Sequence, residues 1–278
     1  MTREVTPAVL PSSAATSTAT ALAATAPAGA APAGAAPAAA MGAVRIAMWS
    51  GPRTISTALM RAWENRLDTV VVDEPLYGFY LARSDVAHPG RDEIMQSMRC
   101  GWREVLDQIC SAPLPAGKTV YYQKHMTHHL LPEVDRDALR GLRHAFLIRD
   151  PRQLLASYAR VRSEPVLADL GLAQQLEIFR RFGGPVVDAG DILRQPRAML
   201  EALCATLGVR FDPAMLCWPA GPRPTDGVWA RYWYDGVRRS TGFGPYRESA
   251  PGLPPALQPL AAQCQPFYDE MSARRLLP

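Results

Sequence analysis

A turn between an apolar run and an amphipathic stretch carries the first residues that could bind an anion. The segment MWSGPRTIST (48–57) passes directly from one to the other. At such a junction the free N–H groups of a helix's first turn and the positive end of its dipole point at one spot. The loop adds an arginine and three hydroxyl side chains, although an ordinary turn capped by Thr54 or Ser56 is the alternative. The residues predicted to hold the anion are Gly51, Arg53, Thr54, Ile55, Ser56 and Thr57.

This loop lacks the Gly-Lys pair that a nucleotide-hydrolysing P-loop uses to reach terminal phosphates. The next apolar run, TVVVDE (69–74), nevertheless ends like a magnesium-binding Walker B strand. Without the lysine and its hydroxyl neighbour, the two carboxylates are better suited to proton chemistry than to a metal. Strand side chains alternate between faces, so one of Asp73 and Glu74 should face the ligand. We expect it to be Glu74, held extended by Pro75, and we predict that Glu74 is a general base.

A second anion site is predicted in AFLIRDPRQLLAS (145–157). Asp150 stands where a helix N-cap belongs and Pro151 where the first helical residue belongs. Arg149, at the end of the apolar run, and Ser157, on the second turn, could then reach one anion together.

The third apolar run ends in YYQKHMTHH (121–129), which adds a lysine and three histidines at the same edge. Lys124 is one of two lysines in the chain, and its compact charge would suit a bridging or leaving oxygen. His125 and His128 are the rivals of Glu74 as base, or its hydrogen-bonding helpers. Three histidines, with His129, could also bind zinc, but the spacing supplies no fourth ligand, so we expect no metal.

Five short apolar runs separated by amphipathic stretches predict an α/β fold of three layers, a mostly parallel five-stranded sheet flanked by helices. The runs lie at 44–49, 69–74, 119–124, 143–150 and 185–191, and the helical stretches at about 56–65, 92–110, 133–140, 151–163, 172–183 and 196–207. Ligands bind beyond the carboxyl ends of such strands, where the polar residues above fall. After Gly208 we expect irregular structure.

The composition gives further expectations about the ligand, the cellular compartment and the domain organisation. Lys+Arg 30 against Asp+Glu 26 gives a net charge of +4, which favours a small anionic ligand over nucleic acid. Five cysteines without a CxxC spacing indicate reduced thiols in the cytoplasm. Residues 1–41 are rich in Ala and Pro and predict a disordered tail before a domain over 42–278; a signal peptide is the rival interpretation. No apolar run of about 18 residues elsewhere predicts a membrane span.

Together these motifs resemble the sulfotransferases that use 3′-phosphoadenosine 5′-phosphosulfate, and a bacterial branch of them with DEP after the second strand. GPRTIST (51–57) is similar to the loop that binds the 5′-phosphosulfate, and Arg149 with Ser157 to the pair that binds the 3′-phosphate. VVDAGDILRQPRAMLEALCATLGVRF (186–211) extends the similarity, which covers about residues 44–215. Ile55 stands where the family usually has Gly, so we expect a conventional backbone there.

The resemblance implies a P-loop-like sulfotransferase fold and sulfuryl transfer to a hydroxyl or nitrogen of a small molecule. Some members place a Glu after the second strand, matching Glu74, and others use a histidine near 125–128. The family also implies a basic segment over the 3′-phosphate, for which we predict Arg238 and Arg239. Nearby aromatic residues could stack on adenine, line the acceptor pocket or pack in the core. A small-molecule kinase with a degenerate loop and a non-catalytic nucleotide-binding protein remain the alternatives.

Overall fold

The computed structural model describes residues 42–86, 88–160, 164–247 and 252–277. The Ala- and Pro-rich stretch 1–41 lies outside the described residues, so its predicted disorder stays a prediction. The strands within the described ranges are β1 (Val44–Ser50), β2 (Thr69–Asp73), β3 (Val120–Met126), β4 (Arg143–Ile148) and β5 (Val186–Asp188). They pair in parallel in the order β2-β3-β1-β4-β5. The predicted five-stranded parallel sheet is confirmed.

Helices cover this sheet. In the described ranges they are α1 (Ser56–Glu64), α2 (Tyr77–Arg83), α3 (Arg91–Ser97), α4 (Trp102–Ser111), α5 (Pro151–Tyr158), α6 (Leu167–Leu170), α7 (Leu172–Phe182), α8 (Ala189–Arg194), α9 (Pro196–Thr206), α10 (Ala230–Trp233), α11 (Asp235–Arg238) and α12 (Gln258–Ser272). Short 3-10 helices lie at Thr127–His129, Arg136–Leu139, Pro213–Leu216 and Pro255–Leu257. No helix of the described ranges combines the length and apolarity needed to cross a lipid bilayer.

Two predicted helices were wrong in extent, and a third, predicted over 151–163, ends at Tyr158, with 161–163 outside the described residues. The stretch 92–110 is broken into α3 and α4, because Met98 and Gly101 adopt extended backbone at the end of one helix and the start of the next. The stretch 133–140 shortens to a 3-10 turn, at the start of which the Asp135 side chain accepts a hydrogen bond from the N–H of Asp137. The fifteen-residue helix α12 was not predicted.

The strand period of two divides the core into two layers. On β1, Ile46 and Met48 face one layer, where they pack with α1 and α9. Ala47 and Trp49 face the other layer, built with α4 and α7. The same alternation on β3 decides which of its side chains reach the ligand-binding edge.

The chain reverses direction across the sheet at β1. The strands that follow β1 first extend the sheet on its β3 side, and β4 and β5 then extend it on the other side. In open parallel sheets this reversal leaves a crevice at the carboxyl ends of the strands. The loop after β1 and the residue after β4 therefore border the same crevice.

The aromatic segment, residues 217–246, was predicted to be irregular and contains only α10, α11 and loops. It is tied to α1 by a buried ion pair, in which Arg61 Nη2 lies 2.5 Å from Asp226 Oδ1. Asn65 Nδ2 donates to the Cys217 carbonyl at 2.7 Å. These contacts fix the segment beside the helix that follows the predicted anion loop.

Candidate active site

A cavity of about 860 Å³ lies at the carboxyl ends of β1, β2, β3 and β4. Its volume is in the range of sites for small organic ligands. Arg53, Arg149 and Ser157 line one part of the wall, and Glu74 and Lys124 line another. Residues from both predicted anion sites therefore share one cavity with Glu74 and Lys124.

The two predicted anion sites are in direct contact. Arg53 Nε donates to Ser157 Oγ at 3.2 Å, although 104 residues separate them. Arg149 Nη1 donates to the carbonyl oxygen of Arg53 at 2.6 Å. Asp150 caps α5 by accepting from the N–H groups of Arg152 and Gln153, so the predicted N-cap is confirmed.

Neither the Arg53 nor the Arg149 guanidinium forms an ion pair with a carboxylate of the described residues. Burial lowers the pKa of both guanidiniums. For Arg149 the charge of Arg53 lowers the pKa further, and the charges of Asp188 and Asp150 offset part of this decrease. Two unpaired cations held close to each other are costly unless an anion neutralises them. The arrangement therefore fits a ligand with more than one negative charge.

The backbone of the loop after β1 does not have the conventional conformation we predicted. Ile55 has a φ of 64° and Arg53 a φ of 61°, both in the left-handed region. The prediction for Ile55 was wrong because it weighed only the local preference of a β-branched residue. The side chain of Ile55 packs against the core, and its backbone must turn to start α1. A left-handed non-glycine residue costs about 1–2 kcal/mol, which explains why glycine is common there in related loops.

The first turn of α1 keeps its N–H groups free of a side-chain cap. The hydroxyl of Thr54 donates instead to the Gly51 carbonyl at 2.9 Å, so the capping alternative does not apply. Gly51 itself does not line the cavity; a Cβ there would lie 2.8 Å from the Leu170 carbonyl oxygen, which accounts for the glycine by close packing. Thr54, Ile55, Ser56 and Thr57 do line the cavity. Uncapped N–H groups at the start of this nine-residue helix point to an anionic ligand.

Both carboxylates after β2 bind one lysine. Lys124 is 1% exposed, and its Nζ lies 2.8 Å from Asp73 Oδ1 and 2.5 Å from Glu74 Oε1. Glu74 follows the end of β2 and has a φ of 45°, so the prediction that it is held extended was wrong. Of the two acids Glu74 lines the cavity and Asp73 does not, in agreement with the prediction that one of them faces the site. The left-handed turn at Glu74 breaks the strand alternation and directs its carboxylate back to the lysine.

Tyr234 completes this buried cluster and was not predicted to do so. Its hydroxyl accepts from Lys124 Nζ at 2.8 Å and donates to Asp73 Oδ2 at 2.6 Å. Both oxygens of Asp73 are therefore occupied, which disfavours its role as a Walker B magnesium ligand. The three protons of the Lys124 ammonium are also occupied, so the predicted contact with a bridging oxygen would require one of these bonds to break.

Burial and charge act against each other on Glu74. Burial raises the pKa of the Glu74 carboxyl, the Lys124 charge lowers it, and the Asp73 charge raises it again. The two carboxylates hold the pKa of Lys124 well above its usual range despite burial. His129 Nδ1 lies 3.9 Å from Glu74 Oε2, but burial keeps the His129 pKa far below its usual range, so this histidine is neutral. A carboxyl with a raised pKa at the cavity wall is suited to accept a proton.

The structure separates the histidines predicted as rival bases. His125 points to the opposite face of β3 from Lys124, where it stacks on Trp49 with 4.3 Å between ring centroids. Burial lowers the pKa of His125 to about 3, and His125 does not line the cavity, because alternate strand residues face opposite sides of the sheet. His128 and His129 do line it, so three histidines do not share a face for zinc.

Aromatic rings line the same cavity as Glu74. Tyr77 and Tyr80 stack on His129 at 4.4 and 4.8 Å between ring centroids. Tyr77 Oη lies 2.5 Å from His88 Nε2, and Trp233 Nε1 donates to the same nitrogen at 3.2 Å. The sequence showed many aromatic residues but not which of them reach the site.

Arg238 and Arg239 do not line the cavity. Arg238 Nε lies 3.9 Å from Asp226 Oδ2, and Arg239 is exposed. Neighbouring residues of α11 and the following loop, Val237 and Ser240, face the cavity instead. The choice of the two arginines was wrong in position, since a helical turn directs adjacent side chains about 100° apart.

The fold and cavity are those of an α/β protein with its ligand at the carboxyl edge of a parallel sheet. A family model for the sulfotransferase domain matches residues 44–275. The chain belongs to the sulfotransferase domain family.

Known proteins share this domain in different settings. Branched-chain-amino-acid aminotransferase-like protein 1 of Arabidopsis thaliana is 35% identical over 229 residues, which cover 81% of this chain but only 41% of the relative. The sulfotransferase domain of the Synechococcus PCC 7002 olefin synthase has a TM-score of 0.50 at 20% identity and covers 86% of this chain and 98% of that domain. A sulfotransferase from Alicyclobacillus acidocaldarius has a TM-score of 0.50 at 14% identity, over 85% and 98%. These two structures share the fold.

Proposed function

We propose that this protein transfers the sulfuryl group of 3′-phosphoadenosine 5′-phosphosulfate to a hydroxyl or nitrogen of a small molecule. The observation that carries the proposal is the contact of Arg53, Arg149 and Ser157 in one wall of the cavity that also contains Glu74. The sulfotransferase family supports the reaction class. The unpaired guanidiniums and the uncapped start of α1 fit a nucleotide with two anionic ends.

Each group has a distinct role in this proposal. The first turn of α1 and Arg53 would bind the phosphosulfate end, and Arg149 with Ser157 would bind the 3′-phosphate. The donor supplies an activated sulfuryl group. For a hydroxyl acceptor, its proton passes to the Glu74 carboxylate, its oxygen forms a bond to sulfur, and the bond from sulfur to the phosphate oxygen breaks to release adenosine 3′,5′-bisphosphate.

The aromatic wall beside Glu74 would bind the acceptor. Tyr77, Tyr80 and Trp233 offer flat apolar faces to the cavity. Apart from Arg53 and Arg149, Lys124 is the only lysine or arginine that lines the cavity among the described residues, and it is already paired with two carboxylates. This surface fits a flat acceptor that carries no negative charge next to its reacting atom.

Calorimetry with adenosine 3′,5′-bisphosphate tests the nucleotide site. We expect micromolar binding and a loss of about 2 kcal/mol, about 30-fold in Kd, in Arg149→Ala, because a charge-assisted contact to phosphate is removed. Ser157→Ala should weaken binding about fivefold, in line with one neutral hydrogen bond. Arg152→Ala is the matched control, since Arg152 is exposed on the same helix and does not line the cavity.

Adenosine 5′-monophosphate identifies which phosphate the pair binds. If Arg149 and Ser157 bind the 3′-phosphate, their alanine variants should weaken the bisphosphate but leave the monophosphate almost unchanged. Equal losses for both nucleotides would argue against the assignment of the 3′-phosphate. Absence of bisphosphate binding by the intact protein would refute the proposed function.

A further inference from the structure

We propose that Tyr234 and Asp73 are positioning residues, which together hold the Lys124 ammonium against the Glu74 carboxylate so that this carboxylate is ionised when the acceptor arrives. The inference rests on the proposed role of Glu74 as base. It assigns a task to the aromatic segment, residues 217–246, beyond lining the cavity. Tyr234 is brought to Lys124 from 110 residues away.

Lys124, Asp73 and Tyr234 are hydrogen-bonded to one another in a closed ring. Lys124 Nζ has three partners, on Asp73, Glu74 and Tyr234, at 2.8, 2.5 and 2.8 Å. The Tyr234 hydroxyl links back to the second oxygen of Asp73 at 2.6 Å and also accepts from Trp229 Nε1 at 3.3 Å. The ammonium therefore has a fixed position, and that position is set by groups on β2, β3 and the aromatic segment.

The cluster places a cation beside a buried carboxylate. Glu74 is 8% exposed, and a carboxylate buried to this extent would bind a proton at neutral pH unless a cation were held close to it. Asp73 attracts the same cation and repels the Glu74 charge. The Tyr234 hydroxyl donates a hydrogen bond to Asp73, and this bond offsets part of the negative charge of Asp73. Asp73 then attracts the Lys124 ammonium less strongly, so the ammonium interacts more strongly with Glu74.

The titratable groups that face Glu74 come from every neighbouring element. They are Asp73 on β2, Tyr77 on α2, Lys124 on β3, His129 on the 3-10 turn and Tyr234 between α10 and α11. Burial raises the pKa of both tyrosines well above their usual range, and His129 is neutral. Near neutral pH, Lys124 and Asp73 are therefore the only charges next to Glu74 in the described part of the chain.

This balance gives two substitutions opposite effects. Asp73→Asn removes the repelling charge and leaves Lys124 to Glu74 alone, so Glu74 should protonate at lower pH. Tyr234→Phe removes the donor to Asp73, so Asp73 attracts Lys124 more strongly and Glu74 should protonate at higher pH. A role limited to packing would not produce shifts of opposite sign.

Difference infrared titration of the intact chain measures this without an acceptor or a nucleotide. The band of the protonated Glu74 carboxyl is assigned by its loss in Glu74→Gln, and its midpoint is compared among wild type, Asp73→Asn and Tyr234→Phe. Tyr122→Phe is the control. Tyr122 is a buried tyrosine on β3, the strand that carries Lys124, and its hydroxyl has no hydrogen-bond partner among the described residues. We expect Tyr122→Phe to leave the midpoint in place.

Unmoved midpoints, or shifts of the same sign in Asp73→Asn and Tyr234→Phe, would overturn the inference. Should Tyr234→Phe not fold, Trp229→Phe removes the bond to the Tyr234 hydroxyl while it keeps an aromatic ring in the buried contact with Tyr77. It should shift the midpoint slightly upward, and no shift there would count against the inference. Failure of the proposed function is a separate result, since it shows as absent bisphosphate binding while the infrared shifts persist.

Discussion

Glu74→Gln should lower the rate of sulfuryl transfer by about 10²–10⁴-fold, the usual contribution of a positioned general base. The amide cannot take the acceptor proton, but it has the shape of the carboxyl group and can still accept from Lys124. Affinity for adenosine 3′,5′-bisphosphate should change little, because the proposed nucleotide contacts are made by Arg53 and Arg149 and not by Glu74. The rate is measured as bisphosphate release from the donor in the presence of a panel of uncharged phenols and amines.

Two histidine variants distinguish Glu74 from its rivals. His125→Phe keeps a ring against Trp49 and should retain transfer within about threefold, since His125 faces the opposite side of the sheet from the cavity. His128→Asn tests His128, which, unlike His125, lines the cavity. A loss of about 10²–10⁴-fold in His128→Asn, with near-normal transfer in Glu74→Gln, would assign the base to His128 instead.

Lys124→Met should lower the free energy of unfolding by about 3–5 kcal/mol at neutral pH, the cost of breaking a buried ion pair from one side. Methionine matches the length of the lysine stem, so the loss comes from two buried carboxylates that are left without a cation. Equilibrium denaturation with urea measures the change, and circular dichroism confirms that the variant is folded before the titration.

The loss in Lys124→Met should depend on pH with a definite sign. Burial already raises the pKa of Glu74 in the wild type, and removal of Lys124 raises it further. A carboxyl whose folded-state pKa exceeds its unfolded value binds more protons when folded, so stability falls as pH rises above the unfolded value. The variant should therefore approach the wild type in stability as the pH is lowered from 7 toward 5.

Lys118→Met is the matched control for this prediction. Lys118 is the only other lysine in the chain, and its exposed Nζ donates to the Leu67 carbonyl at 2.7 Å. Its loss should cost about 1 kcal/mol or less and show no comparable dependence on pH. An equal loss in the two lysine variants would contradict the assigned role of the buried cluster.

The amino-acid sequence was sufficient for the sheet and for the pair Arg149 and Ser157, which lines one part of the cavity. Strand alternation and helix starts are local patterns, so β1 to β5 and the capped start of α5 followed from them. Arg149 lies between β4 and α5, and Ser157 lies on α5, so their spacing alone indicated that they could act together. Their contact with Arg53 is consistent with that expectation.

Only the tertiary structure decided the charges around the proposed base. The left-handed backbone at Glu74 and Ile55 opposes the preferences of those residues, and it is set by the contacts that surround the two turns. Tyr234 reaches Lys124 across 110 residues of sequence, through a segment with no regular period. Sequence patterns report local geometry, whereas the ionisation of a buried group depends on every charge within a few ångströms, whichever part of the chain supplies it.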